Sequence, residues 1–312
     1  MADAFLGTTS GVLRLRDGAL EPLGLDAHSV TALHASDDLL LAGTYGDGLF
    51  RSADDGRSWE RVEAGLTASA FRFLTRDLAG TEPARVYRSA DGGRSWDELD
   101  GITNIPGHKQ WFLPYSPRAG AARNAYVSGD RLLVAAEVAG LLRSDDGGRT
   151  WVCEPVDGDE DVHHVTGHPD DPDLLYVSLG TASLAHREGQ HGGIARSRDG
   201  GATWEKVETD YTRATIVPPA RPDLLLAGPA LRVGREGRIV VSADGGDTWE
   251  PAGHGIDVPM RDMVELFVAA PDGTVWAICS GGRLLRAAPD EWSWASALPP
   301  DADLSVKSVA FA

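Results

Sequence analysis

The sequence predicts an all-β fold, a single seven-bladed β-propeller with four-stranded blades. Three observations lead to this prediction. A motif of the form S-x-D-x-G-x-[ST]-W occurs five times, with its aspartate at positions 54, 91, 146, 199 and 244. Short segments rich in β-forming residues and bounded by glycine and aspartate fill the intervals. The chain ends on a further strand-like segment, 304–312. Self-similarity at a period of about 35–55 residues indicates a repeat architecture.

Each copy of the motif is typical of a tight turn between two strands. Serine and aspartate side chains accept hydrogen bonds from nearby backbone N–H groups, and glycine supplies positive φ. The tryptophan begins the next strand and offers a large apolar face to a neighbouring repeat.

The elements follow from stepping this turn along the chain. In the second repeat, segments 29–34, 39–44, 49–52 and 59–62 are predicted as strands A, B, C and D. One step before the first motif only Asp17 and Gly18 of the turn remain, and one step after the last motif Trp294 survives. The predicted blades are 304–312 with 4–23, then 28–63, 68–100, 123–156, 162–208, 212–252 and 260–298.

The two ends of the chain complete one blade. Residues 4–23 supply strands B, C and D but no strand A, and 304–312 form a strand with nothing after it. Supplying the missing strand from the C-terminal segment closes the propeller and removes exposed sheet edges. We therefore expect residues 1–312 to form one domain.

The motif resembles the Asp-box, or BNR repeat, of sialidases, sortilin-type receptors, bacterial xyloglucanases and the photosystem II assembly factor family. The resemblance covers nearly the whole chain and implies the propeller fold. Because those relatives include enzymes, receptors and assembly factors, it selects no single function. Sialidase chemistry is not implied, since the [FY]-R-I-P motif is missing and the nearest string, Phe71-Arg72-Phe73, lacks Ile-Pro.

Composition excludes several classes of partner. The 47 acidic residues outnumber the 29 basic ones and give a net charge of −18. Nucleic acids and anionic membranes favour basic surfaces, so neither is an expected partner. There is no signal-peptide pattern and no apolar run long enough to cross a membrane, so we expect a cytoplasmic protein.

In propellers of this kind the motif turns lie on one face, and functional loops are expected on the other. Seven of the nine histidines map to or beside that loop face: His28, His108, His163, His164, His186, His191 and His254. Clustered imidazoles favour a divalent transition metal, with His163, His164, His186 and His191 as candidate ligands. No spacing matches a known ligand motif, so ordinary polar loops are the other interpretation, and no cofactor is identified.

Carboxylates form a second candidate set. Glu82 and Glu137 occupy the equivalent position at the end of strand B in adjacent blades, with Tyr45 there in the blade before. Two carboxyl groups about 5–9 Å apart can hydrolyse glycosides. With Tyr45, His163 and His164 they are the predicted catalytic residues. Solvated glutamates at a loop edge, or partners for arginines, are the alternative.

Cationic and aromatic residues on the same face are candidate ligand-binding residues. The set is His28, His108, Trp111, Tyr115, Arg123, Arg213, Arg261 and Lys307. The cations can bind a carboxylate or phosphate, or can pair with Asp210, Asp262 and Asp303. The apolar run 111–115 fits either a loop that meets a partner or a plug for the channel.

Two functions from different classes follow. The first is a pocket for a polar or anionic small molecule or a glycan, with glycoside hydrolase-like or metal-assisted hydrolase or lyase chemistry. The second is a non-catalytic scaffold that binds a protein on the same face. The sequence favours the first but does not establish that the protein is an enzyme.

Overall fold

The computed structural model describes residues 3–111, 120–180 and 192–312. These residues form seven antiparallel sheets, and the fold is the predicted seven-bladed β-propeller of four-stranded blades. In the described part of the chain the helical content is a single 3-10 turn, His108–Gln110. The chain divides into two compact units, Met1–Arg123 with Leu298–Ala312, and Asn124–Ala297.

Blades 1–3 belong to the first unit. Their strands are β1 (Ala4–Thr8), β2 (Gly11–Arg16), β3 (Ala19–Pro22), β4 (Val30–Ser36), β5 (Leu39–Thr44), β6 (Leu49–Ser52), β7 (Glu60–Val62), β8 (Phe71–Leu74), β9 (Leu78–Thr81), β10 (Val86–Arg88) and β11 (Asp97–Glu98).

Blades 4–7 belong to the second unit, apart from the first residues of β12. Their strands are β12 (Ala121–Ser128), β13 (Arg131–Glu137), β14 (Gly140–Ser144), β15 (Val152–Glu154), β16 (Val162–His168), β17 (Asp171–Leu179), β18 (Gly193–Ser197), β19 (Glu205–Glu208), β20 (Tyr211–Ile216), β21 (Leu225–Arg232), β22 (Arg235–Gly237), β23 (Val240–Ser242), β24 (Glu250–Pro251), β25 (Val264–Ala269), β26 (Val275–Cys279), β27 (Leu284–Ala287) and β28 (Ala295–Ser296). The short β22 is an addition to the four-stranded pattern of blade 6, paired with β21.

The C-terminal strand β29 (Val306–Phe311) completes blade 1. It pairs antiparallel with β1, with Leu6 opposite Val309, and the sheet order is β29-β1-β2-β3. The predicted closing blade, made from the N-terminal strands and the C-terminal strand, is confirmed. All five residues of β1 are buried, because the strand has a neighbour on each side.

The core of each unit lies between successive blades. In the first unit, Leu41 on β5, Phe71 on β8 and Trp96 pack in one cluster. In the second unit, Val177 on β17 packs with Leu133 on β13 in another. Strands buried on both faces read as nearly continuous apolar runs, which explains segments such as 39–42.

The repeated turn shows why its residues recur. In the first copy, Ser52 Oγ donates to Asp54 Oδ1 over 2.8 Å and accepts from the Gly56 N–H over 2.9 Å. Asp54 then accepts from the backbone N–H of Ser58 at 2.9 Å and from its hydroxyl at 2.5 Å. The same bonds occur around Asp91, Asp146, Asp199 and Asp244. A short segment therefore satisfies its own backbone donors.

These turns predict acid sensitivity. Hydrogen bonds from the Ser or Thr hydroxyl, and then from its backbone N–H, lower the pKa of Asp54, Asp199 and Asp244 from 3.8 to about 2. A carboxyl whose pKa is lower in the folded state stabilises the fold above its unfolded pKa. That contribution is lost as the pH falls from about 4 towards 2.

Urea midpoints measured from pH 5 to pH 2.5 test this expectation. The triple variant Asp54→Asn, Asp199→Asn, Asp244→Asn should lose less stability over this range than the wild type. A control triple variant at exposed aspartates outside the turns, Asp37, Asp130 and Asp301, carries the same charge change and should keep the wild-type pH dependence. Equal slopes for all three proteins would contradict the assignment.

Candidate functional site

A set of charged and polar side chains lies at the ends of strands in the second unit. The register places it away from the repeated turns, because Leu132 pairs with Ser144 beside the turn whereas Ala136 pairs with Gly140 at the other end of the sheet. Its members are named here the polar cluster: Glu137, Asp161, His163, Tyr211, Arg213 and Glu265. They come from blades 4, 5, 6 and 7.

Glu137, Asp161 and His163 form the acidic part of the polar cluster. Each offers one oxygen or nitrogen atom, and these atoms lie within 4.8 Å of one another. His163 Nε2 lies 3.3 Å from Asp161 Oδ2. His163 is 3% exposed and Asp161 5% exposed, whereas Glu137 is half-buried. Two carboxylates and an imidazole therefore share a small and largely buried volume.

Gly180 makes room for this arrangement. It follows β17, and its N–H donates to the Asp161 carbonyl over 2.7 Å. A Cβ at this position would lie 2.2 Å from Asp161 Oδ2 and 2.3 Å from His163 Nε2. Since real Cβ atoms do not approach other atoms so closely, a side chain here is incompatible with the pair as it stands.

Tyr211, Arg213 and Glu265 continue the polar cluster. The Tyr211 hydroxyl lies 3.3 Å from His163 Nε2 and accepts a hydrogen bond from Arg213 Nε over 2.7 Å. Arg213 Nη1 donates to both carboxylate oxygens of Glu265 at 2.8 Å. Burial acts to lower the pKa of Arg213, but the Glu265 carboxylate outweighs it and the pKa is raised. The guanidinium is thus charged and engaged by a carboxylate.

Two atoms of the polar cluster stand out. Asp161 Oδ1 and His163 Nδ1 are buried, and neither has a hydrogen-bond partner among the described residues. Leaving a buried polar atom unsatisfied costs about 1–3 kcal/mol. Asp161 and Tyr211 both approach the same ring nitrogen, Nε2, so His163 does not relay a proton from one to the other. The geometry favours a binding site rather than a catalytic triad.

Glu82 and Tyr45, two other predicted residues, meet in the first unit. The Tyr45 hydroxyl donates to Glu82 Oε1 over 3.2 Å, and Arg72 Nη1 lies 3.7 Å from Glu82 Oε2. Arg72 also lies over the Tyr45 ring at 5.8 Å. Glu82 therefore has an arginine partner, which was the alternative interpretation of this position. Glu82 and Glu137 belong to different units, and their pairing as catalytic carboxylates stays a prediction.

The contacts and burial of the remaining predicted residues are as follows. His28 Nδ1 lies 3.1 Å from Asp47 Oδ2, and the His108 ring contacts the buried Trp111 at 4.8 Å. His164 is half-buried in β16 opposite Ser178. Arg123 is half-buried, whereas Arg261 and Lys307 are exposed. Tyr115, His186 and His191 lie outside the described residues, so the four-histidine metal site and the role of the run 111–115 stay predictions.

The structure brings the predicted cation Arg213 into the polar cluster. Two of the three aspartates considered as alternative partners of the predicted cations contact other arginines: Asp210 Oδ2 lies 2.7 Å from Arg238 Nη1, and Asp262 accepts from Arg283 Nε over 2.8 Å.

Sequence reasoning missed Asp161, Tyr211 and Glu265. One signal was present, because alternate residues along a strand point to the same side. That rule pairs Asp161 with His163 and Tyr211 with Arg213. Nothing in the sequence showed that these two pairs meet.

The comparisons with known proteins show the fold. A scan of protein-family models and a search of curated proteins found no match. Among solved structures, the chain is similar to the GH74 xyloglucanase from Xanthomonas campestris, with a TM-score of 0.67 and 18% identity over 94% of this chain and 52% of that one. The chain thus spans about half the length of that enzyme.

Two YCF48 structures are similar to this chain over most of both chains. YCF48 bound to D1 peptide has a TM-score of 0.64 and 18% identity over 93% of this chain and 90% of that one. YCF48 from Cyanidioschyzon merolae has a TM-score of 0.64 and 15% identity over 92% of each chain. In the described part of this chain no helix is long and apolar enough to span a membrane, and the cytoplasmic location stays a prediction. By fold, the chain is similar to the xyloglucanase and to both YCF48 structures, and it is a seven-bladed β-propeller.

Proposed function

We propose that the chain binds a small hydroxylated molecule, such as a sugar or the end of a glycan, at the polar cluster. The observation that carries the proposal is the pair of buried, partnerless atoms, Asp161 Oδ1 and His163 Nδ1, inside a group of charged side chains. Buried polar groups are normally hydrogen-bonded, so such a pair favours a ligand that satisfies them.

Charge decides between the kinds of polar ligand. The polar cluster contains three carboxylates, on Glu137, Asp161 and Glu265, and its arginine, Arg213, donates to both oxygens of Glu265. A negative ligand would be repelled at this short range. Neutral hydroxyl groups instead donate hydrogen bonds to carboxylates, so the proposal narrows from polar or anionic molecules to neutral, hydroxyl-rich ones.

The same residues suit hydrolysis of such a ligand. In retaining glycosidases the two carboxyl groups lie about 5–5.5 Å apart, and the Glu137 and Asp161 oxygens lie within 4.8 Å. The xyloglucanase similarity supports this only as an analogy of fold. We also infer that the five repeated turns are Asp-boxes, because every polar residue of the motif is used in the same hydrogen bonds.

Binding to a glycan array, followed by calorimetry on each hit, tests the proposal. Glu137→Gln should weaken binding about tenfold or more, because a hydrogen bond to a charged group contributes about 1.5–3 kcal/mol. Glu160→Gln is the matched control, since Glu160 is exposed and adjacent to Asp161 and the charge change is the same. If the wild type releases the chromophore from aryl glycosides and Glu137→Gln does not, the site is catalytic as well as ligand-binding.

Two results would contradict the proposal. One is the absence of any bound sugar across the array. The other is an equal loss of binding in the Glu137→Gln and Glu160→Gln variants, because that would assign the effect to general surface charge.

One observation favours a scaffold as the second candidate. The hairpin of β21 and β22 exposes two large apolar side chains, Leu231 at 64% and Val233 at 57%. Exposed apolar groups at a loop tip suit a protein partner better than a sugar. A partner whose binding is lost in the double variant Leu231→Ser, Val233→Ser but kept in Glu137→Gln would favour this candidate.

A further inference from the structure

We propose that Glu137, Asp161 and His163 bind one divalent transition-metal ion, with zinc preferred to manganese. This inference concerns the site of the proposed function, but metal binding does not require that a sugar binds there. The inferred site shares His163 with the predicted four-histidine site, which stays a prediction, and combines it with two carboxylates.

The distances suit an ion of this kind. Two ligands about 2.1 Å from a tetrahedral zinc ion lie about 3.4 Å apart. Asp161 Oδ2 and His163 Nε2 are 3.3 Å apart. One oxygen of Glu137 lies within 4.8 Å of a ligand atom on each of these two residues, and this half-buried side chain has rotatable bonds through which it can approach. Little rearrangement is therefore needed.

Electrostatics also favours a cation here. The Glu137 and Asp161 carboxylates repel each other at this distance, and the Glu265 carboxylate adds to the negative charge. A divalent ion bound by both carboxylates would offset this repulsion. Buried charges in proteins are normally paired or coordinate metals.

Gly180 keeps a side chain away from two of the donors, because a Cβ there would lie 2.2 Å from Asp161 Oδ2 and 2.3 Å from His163 Nε2. A zinc ion with three protein ligands takes water or substrate as its fourth ligand. The Tyr211 hydroxyl, 3.3 Å from His163 Nε2, is placed to hydrogen-bond a group held there. The partnerless Asp161 Oδ1 shows that this carboxylate is not satisfied by protein donors in the described residues.

The donor set indicates the metal. Imidazole suits zinc, copper, iron and nickel, whereas magnesium and calcium take oxygen ligands only. The imidazole therefore favours a transition metal over magnesium and calcium, and the two carboxylates suit zinc and manganese. The Irving–Williams order then places zinc above manganese in affinity.

Titration of the full chain with the metal alone tests the inference. Protein treated with chelator and dialysed is titrated with Zn²⁺ by calorimetry and with Mn²⁺ by electron paramagnetic resonance. We expect one site per chain, with Mg²⁺ binding much more weakly. Glu137→Gln, Asp161→Asn and His163→Gln should each weaken Zn²⁺ binding at least about tenfold, because even outer partners of ligands contribute 10–100-fold.

A control variant separates a site from a generally acidic surface. Glu160→Gln, exposed and beside Asp161, should keep wild-type affinity. Asp161 and His163 are buried, so Asp161→Asn and His163→Gln can unfold the protein. In that case Zn²⁺ binding by Glu137→Gln, a variant of a half-buried residue, still tests the inference. In the wild type, the electron paramagnetic resonance signal of bound Mn²⁺ should show coupling to one histidine nitrogen. This coupling should disappear in His163→Gln.

Three outcomes would overturn the inference: no stoichiometric metal, an equal loss in the control variant, or an Mn²⁺ signal without a nitrogen ligand. The two proposals fail separately. If chelator-treated protein binds a sugar but takes up no metal, the metal inference is wrong and the proposed function stands. Metal binding without any bound sugar does the reverse.

Discussion

Replacing Gly180 by alanine should destroy the polar cluster. The added Cβ would lie 2.2 Å from Asp161 Oδ2 and 2.3 Å from His163 Nε2, so at least one of these buried side chains must move. Overpacking of this kind costs about 1–3 kcal/mol of stability. The displaced pair would no longer present its donor atoms together, so metal and sugar binding should fall at least about tenfold.

Gly253→Ala is the matched control for this variant. Gly253 also lies in the second unit, and the atoms nearest to a Cβ there are 3.3 Å or more away. Neither glycine has a positive φ, so the difference between the two variants is steric rather than conformational. Urea midpoints and Zn²⁺ affinity of both variants give the measurement. If Gly180→Ala binds Zn²⁺ with wild-type affinity, the arrangement of Asp161 and His163 is not needed for metal binding.

Deleting the last strand should unfold or aggregate the protein. Residues 306–312 include β29, in which Val306 is fully buried and Val309 is 6% exposed. Burying each such side chain contributes about 1.5–3 kcal/mol, and the strand also supplies the outer hydrogen bonds of β1. The total, about 5 kcal/mol or more, is comparable to the whole stability of a typical domain.

Adding the strand back tests the mechanism directly. A synthetic peptide with the sequence of residues 304–312 should raise the melting temperature of the shortened chain, and a scrambled peptide of the same composition should not. The edge of β1 is otherwise a template for pairing with other chains, so light scattering should rise in the shortened protein and fall with the peptide. A shortened chain that melts like the wild type would contradict the role assigned to β29.

The repeated turn was predictable because its interactions are local. Ser52, Asp54, Gly56 and Ser58 bond to one another within seven residues, and the same short pattern recurs. The spacing of these turns then predicted seven blades. The closing strand was predictable as well, because the first blade lacked a strand and the last segment had none to pair with.

The candidate site was only partly predictable for the opposite reason. Glu137, His163 and Arg213 were singled out from their positions in the repeat, and all three lie in the polar cluster. Asp161, Tyr211 and Glu265 were not, because their importance comes from neighbours on other blades. Tyr211 meets His163 across 48 residues and Arg213 meets Glu265 across 52.

By itself, then, the sequence determined the propeller, its closing blade and the end of the sheets where polar residues collect, because each depends on local turns and on alternation along strands. Tertiary structure alone decided which of those residues meet. Glu82 lies with Tyr45 and Arg72, whereas Glu137 lies with Asp161 and His163. The physical reason is that side-chain contacts between blades depend on register, strand twist and free volume, such as the space left by Gly180, and no repeat spacing encodes these.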